Sequence, residues 1–124
     1  LELYLDKICN IQGPFELITF KQVDKGVFDL FFNFKNERKE AIGLGNGPVD
    51  ACLNALKKLG FETKLSNYKQ YSIDADKDSS QARAMSAISI LDDNKGEVIG
   101  RAIDTSTALA NVKAIFNALN QIYS

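Results

Sequence analysis

Histidine is absent from this chain of 124 residues, and cysteine occurs only twice. Without histidine the usual general base, the Ser-His and Cys-His nucleophile pairs and the commonest kind of zinc site are all missing. Cys9 and Cys52 stand far apart and make neither a disulfide framework nor a metal motif. Cys52 falls among apolar residues of an expected helix and reads as a small core hydrophobe. Reduced thiols of this kind fit a cytoplasmic protein. A basic excess is lacking too: 15 Lys and Arg face 16 Asp and Glu, for a net charge of -1, so nucleic acid has no obvious electrostatic footprint. No apolar run approaches the roughly 20 residues that span a bilayer. Residues 1–12 mix charges with apolar side chains, unlike a signal peptide. The chain begins at Leu1 without methionine and is expected to be a piece of a larger protein, with residues 1–12 as a linker or the end of a preceding subdomain.

What is present is ordinary for one globular domain: 45% apolar and 25% charged residues. A chain this long can bury roughly two thirds of its unfolded surface without metals or disulfides. Leu1, Leu5 and Ile8 are spaced like a short helix, which Gly13-Pro14 ends. Residues 15–23 and 27–34 then read as strands around a turn at Asp24-Lys25-Gly26, with Phe28, Leu30, Phe32 and Phe34 on one face at period two. A polar turn, 35–38, leads to a third strand, 39–44. A helix is expected over 48–59, opened by Pro48, striped by Val49, Cys52, Leu53 and Leu56, and stopped by Gly60.

The second half follows the same plan. Residues 62–75 look extended and 76–79 look like a loop. Residues 80–91 read as a strand with Ala82, Ala84, Ile88 and Ile90 on one face. Asp92 to Gly96 reads as a hairpin turn and 97–103 as the next strand. Asp104 or Thr105 is the expected cap of a last helix striped by Leu109, Val112, Ile115, Phe116, Leu119 and Ile122. The letters echo as well: Glu40-Ala41-Ile42-Gly43 matches Glu97-Val98-Ile99-Gly100, and Asn54-Ala55-Leu56 matches Asn117-Ala118-Leu119. The expected architecture is therefore α+β, two tandem βββα units, 13–60 and 61–124, packed together in one domain. Each unit keeps apolar surface that pairing of the units, and dimerising of two chains, would hide.

Among these segments Gly43-Leu44-Gly45-Asn46-Gly47-Pro48-Val49 is the most informative. A glycine-rich turn feeding a helix presents backbone N–H groups at a positive dipole end, which suits a carboxylate or phosphate. By itself it is ordinary tight-turn chemistry, and it is neither a P-loop nor a dinucleotide fingerprint. Acid pairs such as Asp76 with Asp78, or Asp92 with Asp93, sit in expected loops and read as solvated turn residues.

Gly45-Asn46-Gly47-Pro48-Val49-Asp50-Ala51 followed by Asn54-Ala55-Leu56 resembles the signature of the C-terminal regulatory domain of the alpha-isopropylmalate synthase and citramalate synthase family. Leu65-Ser66-Asn67-Tyr68, Ser80-Gln81-Ala82 and Gly100-Arg101-Ala102 into Thr105-Ser106 are similar to three further family segments in the same order. Departures occur at Ser79, Ala102 and Ala108, where the family has aspartate, glycine and aspartate. The resemblance implies a homodimer and an allosteric site for a branched-chain amino acid, leucine first and isoleucine next, for feedback inhibition. It implies effector contacts at Gly45, Gly47, Pro48 and Val49, at Leu65, Tyr68 and Ser72, and at Ser80 and Ala82. It implies no chemistry and no cofactor in this segment; an acyltransferase domain using acetyl-CoA, with its divalent metal, would lie elsewhere in the parent chain. Neither nucleic acid nor membrane is an expected partner.

The competing reading is an RNA-binding domain, since residues 1–60 have the αβββα order of double-stranded RNA-binding modules. Those grip phosphates with lysines at the second helix. Here that helix starts with Asp50 nearby and carries Lys57 and Lys58 at its far end.

Overall fold

The computed structural model describes residues 8, 9, 11–73 and 82–123. Ile8 and Cys9 are helical and Ile11 is not; residues 1–7 and 10 of the expected first helix lie outside the described residues. Three strands follow, β1 (Phe15–Asp24), β2 (Val27–Phe34) and β3 (Glu37–Leu44), then the helix α1 (Pro48–Lys58). The second half gives β4 (Lys64–Ser72), β5 (Ala84–Asp92), β6 (Gly96–Asp104) and α2 (Thr107–Ile122). The strands form two antiparallel sheets in the orders β1-β2-β3 and β4-β5-β6. The fold is thus two βββα units, as the pattern and the echo implied.

Local chemistry explains the joints. Lys35 and Asn36 both take positive φ, 50° and 66°, and make a two-residue hairpin turn, so β3 starts at Glu37 rather than after a four-residue loop. At the other end of β2, Gly26 supplies the positive φ of the turn and Asp24 is already paired with Val27. Asp92 accepts hydrogen bonds from the Asn94 and Lys95 amides and closes the β5–β6 hairpin. The expected strand 80–91 begins later, at Ala84, because its partner β4 ends at Ser72, opposite Ala84. Residues 80 and 81 lie outside the described residues. The cap of α2 is neither Asp104 nor Thr105 but Ser106, whose hydroxyl accepts from the Leu109 amide. Asp104 instead takes the Ser106 amide, one step earlier, so the polar run offered three candidates and the helix start chose the last.

Each helix lies on its own sheet over a glycine. A Cβ on Gly43 would overlap the carbonyl of Ala51 and press on the Ala55 side chain. A Cβ on Gly100 would overlap the carbonyl of Ala114 and the backbone of Ala118. These are equivalent residues of the two units, and they give the echoed letters a reason: Glu-x-Ile-Gly places a bare backbone where the alanine of Asn-Ala-Leu crosses it. Phe116 of α2 joins the units, with its ring 5.2 Å from Phe32 and 5.9 Å from Phe15. Cys52 is fully buried in this core, and burial pushes its thiol far up from the usual range.

The units are not covered equally. α2 packs on β5 and β6 and also reaches β1 of the other unit. Phe20 of β1, stacked on Phe28 with ring centroids 5.3 Å apart, is only 8% exposed. Its counterpart Leu65 on β4, which occupies the same place opposite Ile90, is 38% exposed. Tyr68 is 47% exposed, and all nine residues of β4 are solvent-accessible.

Candidate functional site

The helix starts bring the two units together. A cavity of about 430 Å³ has Gly47 and Pro48 of the α1 start on one side and Ser106, Ala108 and Leu109 of the α2 start on the other. Phe20, Phe28, Gln22 and Lys25 complete the wall. Its size lies within the ~300–1,000 Å³ of small-molecule sites. Gly47 is the N-cap of α1 and no side chain caps that helix, so its first-turn amides keep their positive end for a ligand. Ser106 caps α2, and the Thr107 and Ala108 amides precede the first internal bond, which runs from Ala110 to the Ser106 carbonyl. Two helix N-termini and Lys25 thus line one hollow with aromatic and aliphatic side chains. An anion with an apolar tail fits that set of groups.

The loop before α2 is held by Asp104, whose carboxylate accepts from the Ser106 amide at 2.9 Å and from the Lys113 ammonium at 2.6 Å. Burial opposes ionisation of Asp104, but these hydrogen bonds and the Lys113 charge outweigh it and hold the carboxyl below its usual range. A depressed folded value means the stabilisation is complete above the unfolded value and is lost as pH falls through the folded one. With Lys113 half exposed, the contribution is expected to be about 1 kcal/mol at most. Thermal unfolding of the parent and Asp104→Asn should differ at neutral pH, above the usual carboxylate range, and converge as pH falls through the depressed range of the folded carboxyl. A gap that stays constant over that range would show that the carboxylate charge is not what holds the loop.

The residues expected to contact an effector separate into groups. Gly47 and Pro48 line the cavity just described. Gly45 packs against the backbone of Asp50 and Ala51 and opens on a different groove, on the far side of α1. Val49 is buried in the core. Ser72 and Ala82 line a second cavity of about 370 Å³ with Tyr71, Ala84, Thr105 and Thr107. Leu65 and Tyr68 stand exposed on β4, and Ser80 lies outside the described residues. The two cavities share the α2 start as a wall: Thr105 and Thr107 face the second, Ser106 and Ala108 the first. Sequence reading did not single out Ser106, Ala108, Leu109 and Lys25, which line this cavity. The repeat was the available signal, because a site at the helix start of one unit points to the helix start of the other.

Among the described residues no group of three or more His, Cys, Asp or Glu could hold a metal ion, and no helix is long and apolar enough to cross a membrane.

The sequence model of the LeuA allosteric (dimerisation) domain matches residues 19–123. A 2-isopropylmalate synthase of Campylobacter hominis is 30% identical over 128 aligned residues, covering 99% of this chain and 25% of that protein. The enzyme of the same name from Aquifex aeolicus is 42% identical over 89 residues, covering 71% of this chain and 16% of that protein. That from Desulfitobacterium hafniense is 26% identical over 122 residues, or 96% of this chain and 21% of that protein. The chain therefore spans about a quarter or less of the length of these relatives.

Proposed function

The chain belongs to the LeuA allosteric (dimerisation) domain family, and on that premise we propose that it is the regulatory module of a cytoplasmic 2-isopropylmalate synthase, binding leucine for feedback inhibition. The observation that carries the reading is the cavity where both helix starts and Lys25 meet Phe20, Phe28 and Leu109. A free amino acid needs donors for its carboxylate, an acceptor for its ammonium and an apolar slot for its side chain. The helix amides and Lys25 supply the first. The Gln22 amide nitrogen is engaged with the Asp24 carbonyl, and its oxygen offers the second. Isoleucine is the runner-up, because shape differences between isomers are worth only about 1–3 kcal/mol. Any catalysis and its metal belong to the part of the protein outside this segment.

A homodimer is the assembly that suits this module. β1 has a helix of the other unit over its inner face, and β4 has none, which leaves Leu65 and Tyr68 for a second copy to cover. The RNA-binding alternative gains no support: the second βββα unit packs on the first as one domain, and the family match runs through both.

Calorimetric titration with L-leucine, L-isoleucine and L-valine tests the ligand, and light scattering tests the assembly. Leucine is expected to bind best, to a protein of twice the chain mass. A preference for isoleucine would move the assignment towards a citramalate synthase, and binding of none would remove the effector reading. Ser72→Ile locates the site. It should leave leucine binding within about threefold if the ligand sits at the helix starts, and abolish it if the ligand fills the second cavity.

A further inference from the structure

We propose that α2 is a lever that couples the cavity at its N-terminus to the segment that leads into the domain. The proposal rests on the effector reading above. Its basis is a row of amide side chains on the other half of the helix. Asn120 accepts from the Phe15 amide at 2.7 Å and donates to the Phe15 and Ile11 carbonyls at 3.0 and 3.5 Å. Asn117 donates to the carbonyls of Ile8 and Cys9 at 3.0 and 3.1 Å. Gln121 donates to Asn117 and to the Ile99 carbonyl, which ties the row to β6. Spacings of three and four place all three on one face of α2.

Asn117 and Asn120 are only 4% and 7% exposed. A buried amide side chain is costly unless its hydrogen bonds are made, and leucine would fill such positions more cheaply. What these amides provide is a grip on backbone over 100 residues away in sequence, specific in position and indifferent to its side chains. Gly13 completes the fit, since a Cβ there would overlap the Asn120 amide.

The helix joins this clasp to the cavity. From Ser106 to Asn120 is about 20 Å of α-helix. Every residue from Ala110 to Asn120 except Lys113 is buried. Close-packed helices shift as bodies because their neighbours interlock. A ligand that draws on the first turn of α2 therefore moves the asparagine row, and with it residues 8–15. In a relative-length protein, that is the stretch through which anything preceding this domain is joined to it.

Hydrogen exchange by mass spectrometry tests the lever in the full-length protein, with and without saturating L-leucine. Leucine should slow exchange at 45–50 and 105–110 and also change it across 8–17. Asn117→Ala loses the grip on Ile8 and Cys9 and the bond from Gln121, but it keeps the Phe15 bonds and the Gln121 bond to the Ile99 carbonyl, so it remains folded; Asn120→Ala removes the rest of the clasp. In Asn117→Ala the cavity response should persist, with leucine affinity within about threefold, while the response at 8 and 9 falls at least about fivefold, the low end of ordinary allosteric coupling, and that at 11–17, still held by Asn120, falls only in Asn120→Ala. Protection at the cavity with no response at 8–17 in the parent would leave the clasp purely structural and overturn the lever. A parent-like response in Asn117→Ala would overturn it as well. Absence of any leucine response at the cavity would remove the effector reading, and the lever with it.

Discussion

Gly100→Val is expected to leave little folded protein. The Cβ alone would overlap the Ala114 carbonyl and the backbone of Ala118, and both belong to the helix that anchors the core. Overpacking usually costs about 1–3 kcal/mol because side chains can find other rotamers. Here the obstacle is helix backbone, so relief requires lifting α2 from β5 and β6 along the stretch where Ile115, Ala118 and Leu119 are buried. A loss above about 3 kcal/mol would consume much of the ~5–15 kcal/mol that holds a domain together. Urea unfolding followed by circular dichroism measures it. Gly43→Val should behave alike, because that glycine meets the Ala51 carbonyl in the equivalent place. A stability loss of less than about 1 kcal/mol in either variant would mean that the helices do not ride on these glycines as described.

Gly47→Val should do the opposite, sparing the fold and damaging the ligand site. Gly47 has φ -154° and ψ 178°, an extended conformation that valine favours, and a Cβ there meets nothing within 4 Å. The glycine is therefore not needed for its turn. It does line the cavity between the helix starts, where a branched side chain would stand between a carboxylate and the first-turn amides of α1. Leucine affinity is expected to fall at least about tenfold, which is 1.4 kcal/mol, with thermal stability unchanged. Calorimetry on the folded variant decides. Unaltered affinity would take the ligand away from the α1 start, and a fall seen only with Ser72→Ile would place it in the second cavity.

Much of the fold is legible in the sequence alone. Phe28, Leu30 and Phe32 alternate at period two because a strand between two neighbours has one face inward, and all three are buried. Val27–Phe34 emerged with the expected bounds, and the repeat of Glu-x-Ile-Gly and Asn-Ala-Leu announced two βββα units. These features are local: period, turn residues and helix stripes are written over a few consecutive positions. The polar members of the stripes were harder to read. Ser86 falls in phase with Ile88 and Ile90 and is fully buried, which makes sense only once its hydroxyl is seen to donate to Asn111 Oδ1 at 2.7 Å. The burial of Asn117 and Asn120 is illegible in the sequence for the same reason, since their partners are Ile8, Cys9, Ile11 and Phe15.

By itself, then, the sequence determined the elements, their tandem order and the family to which their motifs belong, because each depends on short-range periodicity and spacing. Only the tertiary structure decided which neighbour covers which face. It set α2 over β1 and left β4 open. It divided the expected effector residues between two cavities on either side of the α2 start. It also made the strand glycines Gly43 and Gly100 the surfaces on which the helices pack. The physical reason is that burial and hydrogen bonding are settled between segments far apart in the chain, and a residue's pattern names the face it needs to hide without naming what will hide it.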